Sequence, residues 1–351
     1  MRVLITGCNG YIGPVMAQTL LAEGHAVTGT DTNYFDNCYL AGDIPAYPRI
    51  DADIRDIAAS ALAGFDAIVH LAALSNDPLG DLKADWTFDI NVAATERLAR
   101  LAMDVGGTLC VDVAAGSIYG AAGGDERLGE SAPLAPITPY AVSKVRCEEA
   151  LSKLAGDRFS PVYMRNATAY GISPRLRTDL VLNNLVAWAA TTGRVNILSD
   201  GTAWRPIVNI VDISRAVAAV LAAPRETVHD QAFNIGRDAE NFRVRDIAEI
   251  VARAVPGSEI AFGGEKTADA RSYRVSFAKY VSAFPDRPLT CTALAGAEEL
   301  YRAFTAVGLT LEQFQSRRFV RLKQLRHLID ENAVDGNLRW RSAHKAAKPP
   351  A

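Results

Sequence analysis

Thr6-Gly7-Cys8-Asn9-Gly10-Tyr11-Ile12-Gly13 decides how this chain is read. A β-branched, apolar run, Val3 to Thr6, leads into it, and a helical pattern from Tyr11 to Glu23, stopped by Gly24, leads out. The glycine spacing is GxxGxxG inside a strand–loop–helix unit. Gly7 permits the tight turn, Gly10 lets backbone approach a pyrophosphate, and Gly13 allows helix and sheet to pack closely. A diphosphate then sits at the helix N-terminus, where unpaired N–H groups and the dipole favour an anion. Glycines alone are weak evidence, since they also serve plain turns; their place after the first strand makes them a dinucleotide loop. Asn9, Tyr11 and Ile12, between the glycines, join them as candidate cofactor contacts. Asp31 closes the second strand, Ala26 to Thr30. A carboxylate there accepts from adenosine ribose hydroxyls and repels a 2′-phosphate, so NAD is expected over NADP.

Outward from that loop, short strand runs alternate with helical patterns through the first two-thirds of the chain. Strands are expected at Ala67 to Leu71, Thr108 to Val113 and Ser160 to Arg165, with helices at Asn91 to Asp104 and Pro139 to Leu154. Past Tyr170 the rhythm loosens. Pro, Gly and Arg gather in loops, helices are expected near 178–192, 211–222 and 244–255, and Gln231 to Gly236 returns to the sheet. The fold expected is α/β: a Rossmann-type doubly wound parallel sheet with a smaller, interleaved C-terminal substrate lobe. In boundaries, that is a dinucleotide domain over 1–170, its sheet completed by segments near 205–236, and a substrate lobe over 171–316. A basic amphipathic helix starting at Arg317 and the segment after it run to 343, and a disordered tail fills 344–351.

Bulk properties bound the function. In 351 residues, 49% are hydrophobic and 22% charged, as in an ordinary globule, and the net charge of −3 offers no basic face for nucleic acid. Five cysteines lie far apart, an odd number with no CxxC pair, which suits a reducing compartment and neither a disulfide framework nor a metal site. No charged-then-apolar leader opens the chain, and no apolar run nears the roughly 20 residues of a membrane span. A soluble, cytoplasmic protein is expected.

Pro139-Tyr140-Ala141-Val142-Ser143-Lys144 places Tyr140 and Lys144 four apart, on one helix face. An ammonium beside a phenol favours phenolate and turns the tyrosine into an acid/base. A lone YxxxK means little; downstream of a dinucleotide loop it is specific.

With those motifs in place, the chain resembles the extended short-chain dehydrogenase/reductase family, in its nucleotide-sugar epimerase and dehydratase branch, from residue 1 to about 280. The resemblance rests on the glycine loop, Asp53-Ile54-Arg55-Asp56, Val69-His70-Leu71-Ala72-Ala73, Asn91, Ser117-Ile118-Tyr119-Gly120, Tyr140 with Lys144, Tyr170-Gly171, Trp204-Arg205-Pro206 and Phe233-Asn234-Ile235-Gly236. It implies that Asp53 and Ile54 flank the adenine, that Leu71, Ala72 and Ala73 line the cofactor, and that Asn91 stands near it. Lys144 would hold the nicotinamide ribose, and Tyr140 would exchange the proton of a sugar hydroxyl.

Two positions depart from the family. The Ser or Thr four residues before the tyrosine of the YG pair is Ala115 here, and a methyl group cannot share a proton. Ser117 is the candidate replacement; otherwise it is a loop serine bonding its own backbone. The Asp-Glu pair of 4,6-dehydratases is also missing, with Gly116-Ser117 in its place. In Arg165-Asn166-Ala167-Thr168, Thr168 stands where the family has Asn. For substrate, Asn184 and Leu185 on a helix, then Arg205, are candidates. Lys266, Asp269 and Arg271 resemble the segment that meets the diphosphate and nucleoside ribose. Taken singly, each such cation is more often a solvated surface charge.

The reading is an NAD-dependent nucleotide-sugar epimerase, with C4 the expected centre and a homodimer expected by resemblance. A 4-keto reductase on the same substrates and a catalytically silent NAD-binding sensor are the alternatives.

Overall fold

The computed structural model describes residues 1–75, 77–80, 82–106, 108–120, 126–263 and 272–342. Its central sheet has seven strands: β1 (Arg2–Thr6), β2 (Ala26–Asp31), β3 (Arg49–Asp51), β4 (Ala67–His70), β5 (Thr108–Ala115), β6 (Phe159–Asn166) and β7 (Gln231–Ile235). Every pairing is parallel, in the spatial order β3-β2-β1-β4-β5-β6-β7. The order reverses between β1 and β4, so a crevice opens at the C-terminal ends of those two strands. Strands buried on both faces read as continuous apolar runs, as Val3, Leu4 and Ile5 do, all fully buried.

Helix α1 (Gly13–Ala22) follows the glycine loop, with Pro14 preset for its first turn. The helix expected from Asn91 begins as a π-helical turn, Phe88–Ala93, and continues as α2 (Ala94–Asp104). Helix α3 (Pro139–Ser152) starts cleanly because the Thr138 hydroxyl accepts from the Ala141 N–H and Pro139 needs no acceptor.

Beyond β6, a three-stranded sheet combines residues 168–170, 204–209 and 241–243, and a two-stranded one pairs 194–197 with 259–262. Of the stretch near 205–236, only β7 joins the central sheet. Trp204–Asn209 belongs to the three-stranded sheet instead, where Pro206, lacking an N–H, is tolerated. Helix α4 (Val181–Thr192) packs within this part, whereas α5 (Ile210–Ala222) packs chiefly against α1 beside the central sheet. The basic helix starts at Arg321, not Arg317, and runs to Asp330 as α6. Phe319 is buried and its carbonyl accepts from Thr178, which holds the preceding residues out of helix. Among the described residues no helix is long and apolar enough to cross a membrane. The tail from 344 lies outside the described residues.

Candidate active site

One cavity of about 710 Å³ fills the crevice. The glycine loop forms its floor. Gly7 has φ 72°, and a Cβ there would lie 2.7 Å from the Ala72 amide nitrogen; a Cβ on Gly13 would strike the Cys8 carbonyl. The loop, β4's end and α1 therefore approach as only glycine allows. No side chain caps α1 and no acid lies in its first turn, so its leading N–H groups remain for an anion. Gly10, Tyr11 and Ile12 line the cavity beside them.

Asp31 faces the same space, its two oxygens accepting from the Asn9 N–H at 2.9 Å and the Asn33 N–H at 2.7 Å. Burial raises its carboxyl and the two amides oppose the rise. Asn9 itself is no part of the cavity wall. It is buried, its amide donating to Asn33, so it orders the Asp31 loop from behind. Asp53 and Ile54 line the far end, with Leu71, Ala72 and Ala73 opposite. Although burial works against it, Arg55 holds the Asp53 carboxyl below its ordinary value through contacts of 2.9 and 2.5 Å. Uncapped amides, a close-packed glycine cradle and a carboxylate at β2's end fit a dinucleotide.

Tyr140 and Lys144 enter the cavity side by side from α3. Burial pushes the Tyr140 phenol up, against the expectation that Lys144 would bring it down; Lys144 and Arg177 pull it back only in part. Lys144 is itself paired, its Nζ 3.6 Å from Oδ1 of Asp112 on β5, both side chains buried. That carboxylate, with the phenol, keeps the ammonium protonated despite burial. Asp112 carries no motif and escaped the sequence reading. Ala115 and Ser117 both line the cavity, and the Ser117 Oγ is buried without a hydrogen-bond partner among the described residues. Asn91 does not reach the wall. Its amide accepts from the Leu74 N–H at 2.8 Å and donates to the Ser143 hydroxyl at 3.0 Å, so it ties the loop after β4 to the helix bearing Tyr140. His70 is buried between the Thr6 and Thr95 hydroxyls, each at 2.7 Å, with its pKa lowered to about 4 by burial. It is a packed strand residue.

Thr168, Asn184 and Arg205 also line the cavity. Leu185 does not: one residue on from Asn184 the helix has turned, and this side chain is buried in the core. Lys266, Asp269 and Arg271 lie outside the described residues. Sequence reasoning missed Arg177, Asn166 and Arg321 as cavity residues. Arg177 grips Asp179 at 2.9 and 3.0 Å and donates to the Ser75 hydroxyl at 3.1 Å. Tyr11 spans the two parts of the fold, its hydroxyl donating to the Gly171 carbonyl at 2.6 Å and accepting from Asn183. Only Tyr11's place in the glycine loop hinted at this.

Comparisons with known proteins agree with the geometry. Residues 3–236 match the model of the NAD dependent epimerase/dehydratase family. A UDP-glucose 4-epimerase of Mycolicibacterium smegmatis is 29% identical over 264 residues, covering 73% of this chain and 83% of its own. A UDP-glucuronate 4-epimerase of Thermodesulfobacterium geofontis is 29% identical over 281 residues, covering 72% and 80%. Among solved structures, the NAD-dependent NDP-hexosamine 5,6-dehydratase TunA superimposes with a TM-score of 0.77 at 23% identity, over 87% of this chain and 98% of that one. A UDP-glucuronic acid 4-epimerase from Bacillus cereus, with UDP-glucuronic acid and NAD, gives 0.74 at 22%, over 88% and 100%. The glycine cradle, the tyrosine–lysine helix and a family match spanning the whole central sheet lead to one assignment: this chain belongs to the NAD dependent epimerase/dehydratase family.

Proposed function

We propose that the chain is an NAD-dependent nucleotide-sugar epimerase that inverts C4 of a uridine diphosphate sugar. The observation that carries this is the meeting of Tyr140, Lys144 and the glycine loop around a single cavity. NAD held in the groove would supply the hydride acceptor and donor. Tyr140 takes the proton from the C4 hydroxyl as the keto-sugar forms and gives it back at the end. Lys144 holds the cofactor ribose and favours the phenolate. Ser117, with its unpaired Oγ at the cavity, shares the substrate proton in place of the missing hydroxyl at Ala115. Thr168, Asn184 and Arg205 hold the sugar and its diphosphate. Such a cycle needs no net redox and no external base.

The relatives named as UDP-glucose and UDP-glucuronate 4-epimerases support uracil as the base. The described cysteines are all free thiols, in keeping with a reducing cytoplasm, and a homodimer is proposed on the family resemblance alone. The test is to identify by mass spectrometry what the native protein retains, then to follow UDP-glucose and UDP-glucuronate by NMR without added reductant. Interconversion of C4 epimers without NADH consumption supports the reading. Turnover only with stoichiometric NADH identifies a reductase, and NAD binding without turnover a sensor; either result overturns it.

A further inference from the structure

Arg321 opens helix α6, far past the end of the family match at residue 236, yet its side chain lines the same cavity as Gly10, Tyr11 and Ile12. It is 2% exposed. Its guanidinium lies over the Phe35 ring, 4.8 Å from the centroid, and Nη2 donates to the Arg175 carbonyl at 2.7 Å. Nη1 is buried with no hydrogen-bond partner among the described residues. The Cys38 thiol beside the guanidinium is a weak acceptor, Arg177 is a second buried cation nearby, and the Asp179 carboxylate that acts on both is already held by Arg177. A guanidinium taken from water without full pairing is costly unless an anion meets it.

We propose that Arg321 is a ligand of the dinucleotide diphosphate, delivered across the groove by the C-terminal segment, which thereby locks the cofactor in place. This rests on the reading of the glycine loop as a dinucleotide site. The cofactor's diphosphate is favoured over the substrate's because Arg321 stacks on Phe35, four residues past Asp31, on the ribose side of the groove. Thr168 and Arg205 line the cavity elsewhere, while Asn184, through Thr178, and Arg321, through Arg175, both bond the loop at 175–178. The segment after α6 continues over the adenosine end. Arg55 donates to the Asn337 carbonyl at 2.7 Å, Tyr34 donates to the Leu338 carbonyl, and the Trp340 indole donates to the Thr32 carbonyl at 2.6 Å. Leu325, Leu328, Val334 and Leu338 share an apolar cluster with Tyr34 and Leu74, so the strap joins the loops after β2 and β4. Departure of a dinucleotide then requires this strap to lift.

The experiment compares wild type with Arg321→Gln and Arg321→Lys, stripped of nucleotide, by calorimetric titration with NAD, ADP-ribose and UDP. A charged hydrogen bond of the usual strength predicts weakening of NAD and ADP-ribose by about ten- to a hundredfold in Arg321→Gln, with UDP unchanged. The lysine variant, with a point charge but no fork, falls in between. Should the glutamine variant fail to fold, the lysine variant decides alone, read at an unchanged melting temperature of the stripped protein. Loss of UDP affinity with NAD intact, or no change in any ligand, overturns the proposal. Absence of NAD and ADP-ribose binding by wild type would instead refute the dinucleotide reading itself.

Discussion

Lys144 and Asp112 form a buried ion pair, Nζ to Oδ1 at 3.6 Å, directly beneath the face where Tyr140 meets the cavity. The carboxylate keeps Lys144 charged and raises the Tyr140 phenol, whereas Lys144 and Arg177 lower it. Asp112→Asn removes the charge that raises the phenol and also weakens the hold on the Lys144 proton. The phenol follows the first effect as long as Lys144 stays protonated over the measured pH range. The ascending limb of kcat/KM against pH should therefore move to lower pH, since phenolate forms more readily. Unpairing a buried ammonium should also cost about 3–5 kcal/mol of stability. A pH–rate profile with a denaturant titration checks both; an unmoved limb removes Asp112 from control of the acid/base.

Tyr140→Phe keeps the ring and loses the proton carrier. Turnover should fall by about 10²–10⁴, the usual worth of a positioned acid/base, while NAD binding stays within a few-fold of wild type. Rate and binding measured on the same preparation separate chemistry from folding.

The Ala115 methyl and the unpaired Ser117 hydroxyl make a reciprocal pair of tests. Ser117→Ala should lower kcat by about tenfold or more, the value of a hydrogen bond to a charged group, with KM little changed. Ala115→Ser in that background should recover much of the loss. A Ser117→Ala enzyme with full kcat leaves Ser117 as a loop residue.

His70 links pH to stability. It is neutral in the folded chain down to about pH 4, whereas an unfolded chain binds the proton near 6.5. The unfolded state therefore takes up more protons in this window, and stability falls as pH drops from 6.5 toward 4, by about 3 kcal/mol from this group. Urea titrations at pH 7.5 and 4.5 should show a smaller acid loss for His70→Gln than for wild type.

The glycine loop, Asp31 and the Tyr140–Lys144 pair were legible because each is local: its meaning lies in spacing along one strand, loop or helix. The parallel, doubly wound sheet followed from the same alternation, though its strand order did not. Asp112, Arg177 and Arg321 were not legible: Arg177 and Arg321 reach the cavity from a loop and the C-terminal helix, and Asp112 pairs with Lys144 from β5, each across a large sequence separation. Asn9 was read as a cofactor contact and Asn91 as standing near the cofactor; in the structure they hold Asp31's loop and the Leu74–Ser143 junction from behind the cavity wall. An amide suits either task, and spacing does not tell which. Leu185 was misplaced for a simpler reason: helical phase turns it into the core next to a cavity-facing Asn184. The strand that carries Pro206 lies in the smaller sheet, a choice set by tertiary pairing.

The central claim is that Tyr140 and the dinucleotide act on C4 of the sugar and return what they remove. UDP-glucose deuterated at C4, incubated with the enzyme in ordinary water and read by NMR and mass spectrometry, tests it directly. The account predicts a C4 epimer that keeps its deuterium, with no NADH released. A product that has lost the label to solvent, or NADH appearing in proportion to product, would contradict it.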